Sequence, residues 1–254
     1  TLDNEVIIHV NEGNDGTFQY IKDNNYLYTF SETKLGLCSS VNKASKKSTK
    51  DSIIYAHDDM YFLPKWDLIL KKEISKLNNN LFYLSGTMMG PKEHIDFDCG
   101  DTYENFDEKK LLNGYTNYNL YDHQGTHWAP HVIHKDLWNK INGLDENFDP
   151  GFGSDPDLNM RLWQEGVRYF KGINDCKVYH FGSISLRKKK NLVTNNGARQ
   201  FLKKWGMSIS FFKKHYLRSM QVFKEPLEEP KKNLSYHFEN FICKIKLIFL
   251  FIQK

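Results

Sequence analysis

Three short stretches carry side chains whose types and spacing could do chemistry. They are Tyr55-Ala56-His57-Asp58-Asp59-Met60, Gly153-Ser154-Asp155-Pro156-Asp157-Leu158 and Val178-Tyr179-His180-Phe181. Asp58 and Asp59 follow the β-rich run Ser52 to Ala56, and the carboxyl end of a sheet strand is where open α/β folds bind ligands. A carboxylate in that place can hold a hard divalent cation, Mn²⁺ or Mg²⁺, against a diphosphate. The same pair can instead cap a helix beginning near Pro64 and Lys65. Asp155 stands just before Pro156, a residue suited to the first helical position. Its carboxylate either caps that helix or, held rigid and ionised, takes a proton from a hydroxyl. Asp157 is the alternative base, or a partner for acceptor hydroxyls. A lone histidine is most often structural. His180, at the end of an apolar strand pattern, gains a second reading because neutral imidazole suits Mn²⁺ or Zn²⁺ and can also donate a proton. The basic run Arg187 to Lys190 beyond it reads as a solvated face or as a loop closing over phosphates.

These stretches need elements to position them. Glu5 to Val10 and Tyr26 to Phe30 read as strands, with the Gly- and Asn/Asp-rich loop 11–16 after the first. Leu37, Val41 and Ala44 mark a helix over 36–47, and Ser52 to Ala56 is the strand before the acidic cluster. Lys65 to Leu77 is amphipathic, with Trp66, Leu68, Leu70 and Ile74 as its core face, and 81–84 is a further strand. Residues 90–121 read as an elaborated loop of the kind that recognises acceptors. Helices follow at 135–141 and 155–165, late strands at 167–170 and 177–181, and helices at 198–205 and 208–218. Strands alternating with helices imply an α/β fold with a largely parallel sheet.

Length and composition set bounds. A chain of 254 residues with 40% hydrophobic residues supports one sizeable core, read as a domain over 1–220 and a tail over 221–254. The net charge of +4 is spread along the chain and gives no support for nucleic acid as a partner. Cys38, Cys99, Cys176 and Cys243 form no Cys-x-x-Cys pair, so neither a zinc ribbon nor a disulfide scaffold is indicated, and a reducing cytoplasm is the simplest setting. No signal segment opens the chain. The apolar tail 241–252 is short of the roughly 20 residues that span a bilayer. It reads either as a peripheral helix on the inner membrane face or as a helix packed on its own domain or a partner. His123, His127, His131 and His134 offer zinc as a competing idea, but Gly125 and Pro130 break the helix that such a site would need.

With these residues in place, the run from about Glu5 to Phe181 resembles glycosyltransferase family 2. Asn11-Glu12-Gly13-Asn14-Asp15-Gly16-Thr17 is similar to the loop after that family's second strand, and Gly36 with Asn42 matches the Gly and Asn before its acidic motif. Asp58-Asp59, with Pro64 and Trp66 downstream, resembles its Asp-x-Asp region, and Asn142-Gly143-Leu144-Asp145-Glu146 its Gly-Gly-Phe-Asp-Glu turn. Ser154-Asp155-Pro156-Asp157-Leu158, through Arg161 and Gly166, resembles its Glu-Asp-x-Asp-Leu helix, and Lys203-Lys204-Trp205-Gly206 is familiar from bacterial members. His57 stands for the first carboxylate of the strict motif and Ser154 for the usual Glu.

The resemblance implies a nucleotide-binding, Rossmann-like fold of the glycosyltransferase-A type, a mostly parallel sheet flanked by helices with a C-terminal helical tail. The family's first strand and helix would lie upstream of Thr1. It implies an enzyme moving a sugar from a nucleotide-sugar donor to a glycan, lipid-linked or other hydroxyl acceptor in polysaccharide synthesis, with inversion. Asp155 would be the base, with Ser154 and Asp157 on the acceptor. Asn11, Asp15, Gly36, Asn42 and Asp58 would bind the donor nucleotide, and Asp59 with His180 would hold Mn²⁺ or Mg²⁺. A non-catalytic carbohydrate- or membrane-binding relative and a nucleotidyltransferase are the alternatives. The second of these lacks a Gly-rich phosphate-gripping loop.

Overall fold

A strand buried along nearly its whole length must be covered on both faces. Phe82–Gly90 (β5) is such a strand, and it lies at the centre of a seven-stranded sheet. The computed structural model of the chain describes residues 3–182 and 196–252. Ser52–Tyr55 (β3), His131–His134 (β8), β5, Tyr169–His180 (β9) and Met60–Phe62 (β4) follow one another across the sheet. Ile95–Asp96 (β6) pairs with β5, and His123–Gln124 (β7) pairs with β9. Ile7–Asn11 (β1) and Leu27–Ser31 (β2) form a separate parallel pair, against which the helix Leu37–Ser45 (α2) packs. The helix Thr17–Asp23 (α1) connects β1 to β2.

Alternation along β5 sorts its side chains between two layers. Phe82 and Leu84 join Leu70, Val132 and Ile173 beneath the helix Trp66–Ile74 (α3). Tyr83 points the other way, into the main core with Ile133, Phe170 and the helices Lys135–Lys140 (α5), Ser154–Gln164 (α6) and Gly197–Trp205 (α7). Of the predicted core face of α3, Leu68 is instead 44% exposed, while Leu70 is buried. Residues 90–121 carry more order than a loop. The helix Glu108–Gly114 (α4) and β6 close a small core of Leu63, Met89, Ile95, Cys99, Leu111 and Tyr179.

The alternation of strands and helices is present, with parallel pairing in β1/β2, β5/β9 and β5/β6, while β8, β4 and β7 pair antiparallel and make the sheet mixed. Because β8 runs against both β3 and β5, the strands β3, β5 and β9 all run the same way. Their carboxyl ends therefore share one edge. The two late strands expected from sequence are one, β9, bulged where Gly86 and Thr87 of β5 face Ile173 and Lys177. Gly86 is required there, since a Cβ would lie 2.5 Å from the Cys176 carbonyl oxygen. The bulge carries β9 on to pair with β4 in the register Met60 opposite His180.

After α7, the short helix Ile209–Phe211 (α8) runs into a wider turn over Phe212–Tyr216. Residues 221–252 pack on the rest of the chain. Leu227 lies in the main core, and the last helix, Leu234–Ile252 (α9), packs Tyr236 and Cys243 on Leu202 and Phe211. The basic run Arg187 to Lys190 lies outside the described residues.

Candidate active site

The register of β4 on β9 does the first assembly step. Met60 opposite His180, together with the Phe181 amide donating to the Asp59 carbonyl, brings Asp59 beside His180 from a point more than a hundred residues away. His180 Nε2 lies 3.4 Å from an Asp59 carboxylate oxygen, and its Nδ1 lies 2.6 Å from Glu93 Oε1. Burial pushes the His180 pKa down, but these two carboxylates outweigh it and raise it to about 9, so an ion bound through this imidazole must displace its proton. His57 completes the group, and one ligand atom from each of His57, Asp59 and His180 falls within 4.8 Å of the others. Burial lowers the His57 pKa and so favours the neutral imidazole that a metal requires. Two imidazoles and a carboxylate fit a divalent transition ion, and Glu93 on the far nitrogen of His180 is the kind of outer partner that orients such a ligand.

A second centre adjoins the first. His131, the first residue of β8, faces Tyr55, the last of β3, and their rings stack 5.0 Å apart. His131 Nδ1 is hydrogen-bonded to the Tyr83 hydroxyl, and its Nε2 lies 3.5 Å from an Asp155 carboxylate oxygen. Asp155 is in the first turn of α6, which Gly153 precedes, and its side chain keeps 36% of its surface exposed. Burial pushes its pKa up, but the nearby His131, His57 and His127 more than compensate and hold it below the usual carboxylate value. It is therefore an ionised, oriented carboxylate at a helix start, and no hydrogen bond of its own caps the helix. The Tyr55–His57 and His57–His180 ring pairs, 5.5 and 6.3 Å apart, link this centre to the metal-type cluster.

The other sequence candidates fall elsewhere. Asp157 is fully buried and accepts from Arg161 Nε at 2.8 Å, Lys204 Nζ at 2.7 Å and Trp205 Nε1 at 2.8 Å, so it ties α6 to α7. Ser154 is buried and donates to the Gly151 carbonyl. Asn42 exchanges both amide functions with the backbone of Leu144, and Asn11 accepts from Ser31 and the Leu35 amide. Asp15 is exposed and binds the Thr17 amide. Gly36 precedes α2, where a Cβ would collide with Asp149, the carboxylate that caps that helix through the Cys38 and Ser39 amides. Asp58 is exposed next to the cluster. The four histidines of the zinc idea are dispersed: His131 meets Asp155, His134 caps α5, His127 bonds Ser219, and His123 sits against His94 and Trp128.

Three partners escaped the sequence reading. His57 was visible only as a departure from an acidic motif, although a histidine two residues before an aspartate after a strand is itself a ligand spacing. His131 shows in the sequence only as one of the four histidines of the zinc idea, and Glu93 carries no local signal, because the β8/β3 register and the turn after β5 bring them in.

No protein-family model and no curated protein matches the chain. Solved structures do match it. GalNAc-T7 with UDP, GalNAc and Mn²⁺ superposes with a TM-score of 0.56 at 13% identity, over 78% of this chain and 42% of its own. S. aureus TarS 1–349 in complex with UDP-GlcNAc superposes with a TM-score of 0.54 at 14% identity, over 79% of this chain and 56% of its own. The fold is the glycosyltransferase-A fold. A mycobacterial protein covers 92% of the chain with a TM-score of 0.51 at 11% identity. The chain thus spans about half the length of the GalNAc-T7 and TarS structures it matches. Within the glycosyltransferase-A fold, both centres lie at the strand-end edge where an α/β sheet receives its ligands.

Proposed function

We propose that the protein is a glycosyltransferase that moves a sugar from a nucleotide-sugar donor, a UDP-sugar, to an acceptor hydroxyl with inversion, as family 2 enzymes do in glycan synthesis. The observation that carries this reading is the meeting of two centres at one sheet edge: the cluster His57, Asp59 and His180, and the ionised Asp155 next to it. UDP and UDP-GlcNAc in the structural neighbours support the choice of donor.

His57, Asp59 and His180 would hold the divalent ion. Their two nitrogens favour Mn²⁺ over Mg²⁺, which prefers an all-oxygen shell. Once bound, the ion would offset the charge that develops on the departing diphosphate. Glu93 fixes the His180 ring so that Nε2 faces Asp59. Asp155 accepts the proton of the attacking hydroxyl, and His131, itself held by Tyr83, orients that carboxylate. Attack from the face opposite the diphosphate inverts the anomeric centre. Asp58 remains at the cluster to meet the donor, whereas Asn11, Gly36 and Asn42 act by holding the neighbouring loops.

The test is thermal stabilisation by UDP, GDP and dTDP, each with and without Mn²⁺, on this chain and on Asp59→Ala, since selective binding to the folded state raises the melting temperature. A UDP-selective, Mn²⁺-dependent shift that disappears in the variant is expected. A cooperative melt with no shift under any condition would reject the donor site as described.

A further inference from the structure

The last helix has two apolar faces, and among the described residues only one of them is packed. Tyr236 and Cys243, with Leu247 and Leu250, pack on α7 and α8. Leu234, Phe238, Phe241, Ile245, Ile248 and Ile252 lie on the opposite side at successive separations of four, three, four, three and four residues. At 3.6 residues per turn this spacing makes one continuous stripe, and all six side chains are exposed. A contiguous apolar strip on this scale marks an interaction surface.

The charges around the stripe identify its occupant. Lys244 and Lys246 stand one on each shoulder, by the 100° step per residue, and both are exposed. Glu239 is the only acidic residue of the helix, and it is turned inward to Lys214 at 2.5 Å and His215 at 3.1 Å. The outward face is therefore apolar in the centre, basic at both margins and free of carboxylates. A second copy of the helix would set lysine shoulders against lysine shoulders in either orientation, without the opposite charges that such pairs use. An anionic bilayer surface matches the pattern, because the aromatic and aliphatic side chains enter the acyl boundary while the lysines reach out to the headgroups. No described helix is long and apolar enough to cross a membrane. We infer that α9 docks the protein onto anionic membrane surfaces through the stripe Leu234 to Ile252, lying in the plane of the interface. This inference is independent of the proposed transfer reaction.

The experiment is co-sedimentation of the full chain with vesicles of phosphatidylcholine alone and of phosphatidylcholine mixed with phosphatidylserine, combined with light scattering of the protein by itself. Salt-sensitive binding to the phosphatidylserine vesicles is expected. It should be lost in Phe238→Ser/Phe241→Ser/Ile245→Ser and weakened about fivefold for each lysine removed in Lys244→Ser and Lys246→Ser. The substituted side chains are exposed, so thermal melts should be unchanged, and the lysine variants test the idea even where the triple variant fails to fold. Protein left in the supernatant at low salt would overturn the inference. So would dimers that depend on the stripe and ignore vesicles.

Discussion

Replacing Asp155 with Asn removes a charge while leaving nearly the same shape, so its two consequences can be separated by size. The stability consequence is small. Asp155 makes no capping hydrogen bond, its side chain is 36% exposed, and its contact with His131 is 3.5 Å long. What it loses is chiefly the favourable placement of a negative charge in the first turn of α6, about 0.3–1 kcal/mol, or a few degrees of melting temperature at most. The catalytic consequence is large if Asp155 takes the acceptor proton. Loss of a positioned general base costs roughly 10² to 10⁴ in rate, which is about 3 to 5 kcal/mol of barrier. The assay is UDP release from a UDP-sugar, with the melt and the Mn²⁺-dependent UDP shift measured on the same preparation. Turnover should fall by at least a hundredfold with the melt and the UDP shift intact. Transfer within threefold of the parent would refute the assignment of Asp155 as base, and loss of the UDP shift would mean that the residue serves the donor site. The sign with pH is also fixed. The carboxyl is held below its ordinary value, so the base stays ionised as pH falls from 7 to 5, and turnover should show no acid limb from Asp155 in that window.

Glu73 is buried, accepts from Lys171, Lys76 and Tyr169, and is driven down to about 2 from 4.5 because those hydrogen bonds outweigh its burial. Its contribution, on the order of 3 kcal/mol, is complete above about pH 4.5 and drains away as pH falls toward 2. Urea unfolding at pH 7, 4.5 and 3 should show that decline, and Glu73→Gln should flatten it. Glu93→Gln should weaken Mn²⁺ binding roughly 10- to 100-fold by releasing the His180 ring, as titration calorimetry with Mn²⁺ on the parent and the variant would measure. Gly86→Ala should lower the urea midpoint by an amount equivalent to about 1–3 kcal/mol, because the added Cβ meets backbone at the β9 bulge and not a mobile side chain. An unchanged midpoint would show that the bulge can relax.

The parts of this fold that follow from local period were legible in the sequence. The helices α2 and α3 announce themselves by apolar spacing and α6 by Pro156 and Gly166 at its two ends, and β3 leads into Asp58 and Asp59 as its apolar run requires. What escaped was set by register. The pattern at 167–170 and at 177–181 looks like two short strands because the polar Asn174 and Asp175 interrupt it, yet both belong to β9 and sit at its bulge. The antiparallel insertion of β8 between β3 and β5 has no local signature, and it is this insertion that delivers His131 to Asp155.

The same distinction sorts the proposed site residues. Asp155 and His180 were readable because each ends or begins an element and its neighbours in sequence state its position. Asp157, Asn42 and Gly36 looked like ligand contacts from their spacing, but each is occupied in joining one element to another. A fully buried carboxylate that already accepts from an Arg, a Lys and a Trp is out of reach of a substrate, whereas one left partly exposed beside a histidine is open to one. The two aspartates of the Asp155-Pro156-Asp157 helix start are thus a division of labour. Asp157 fixes α6 against α7, and Asp155, two residues earlier and on another face, is left with only the Ser154 hydroxyl at 3.4 Å and His131 at 3.5 Å beside its carboxylate.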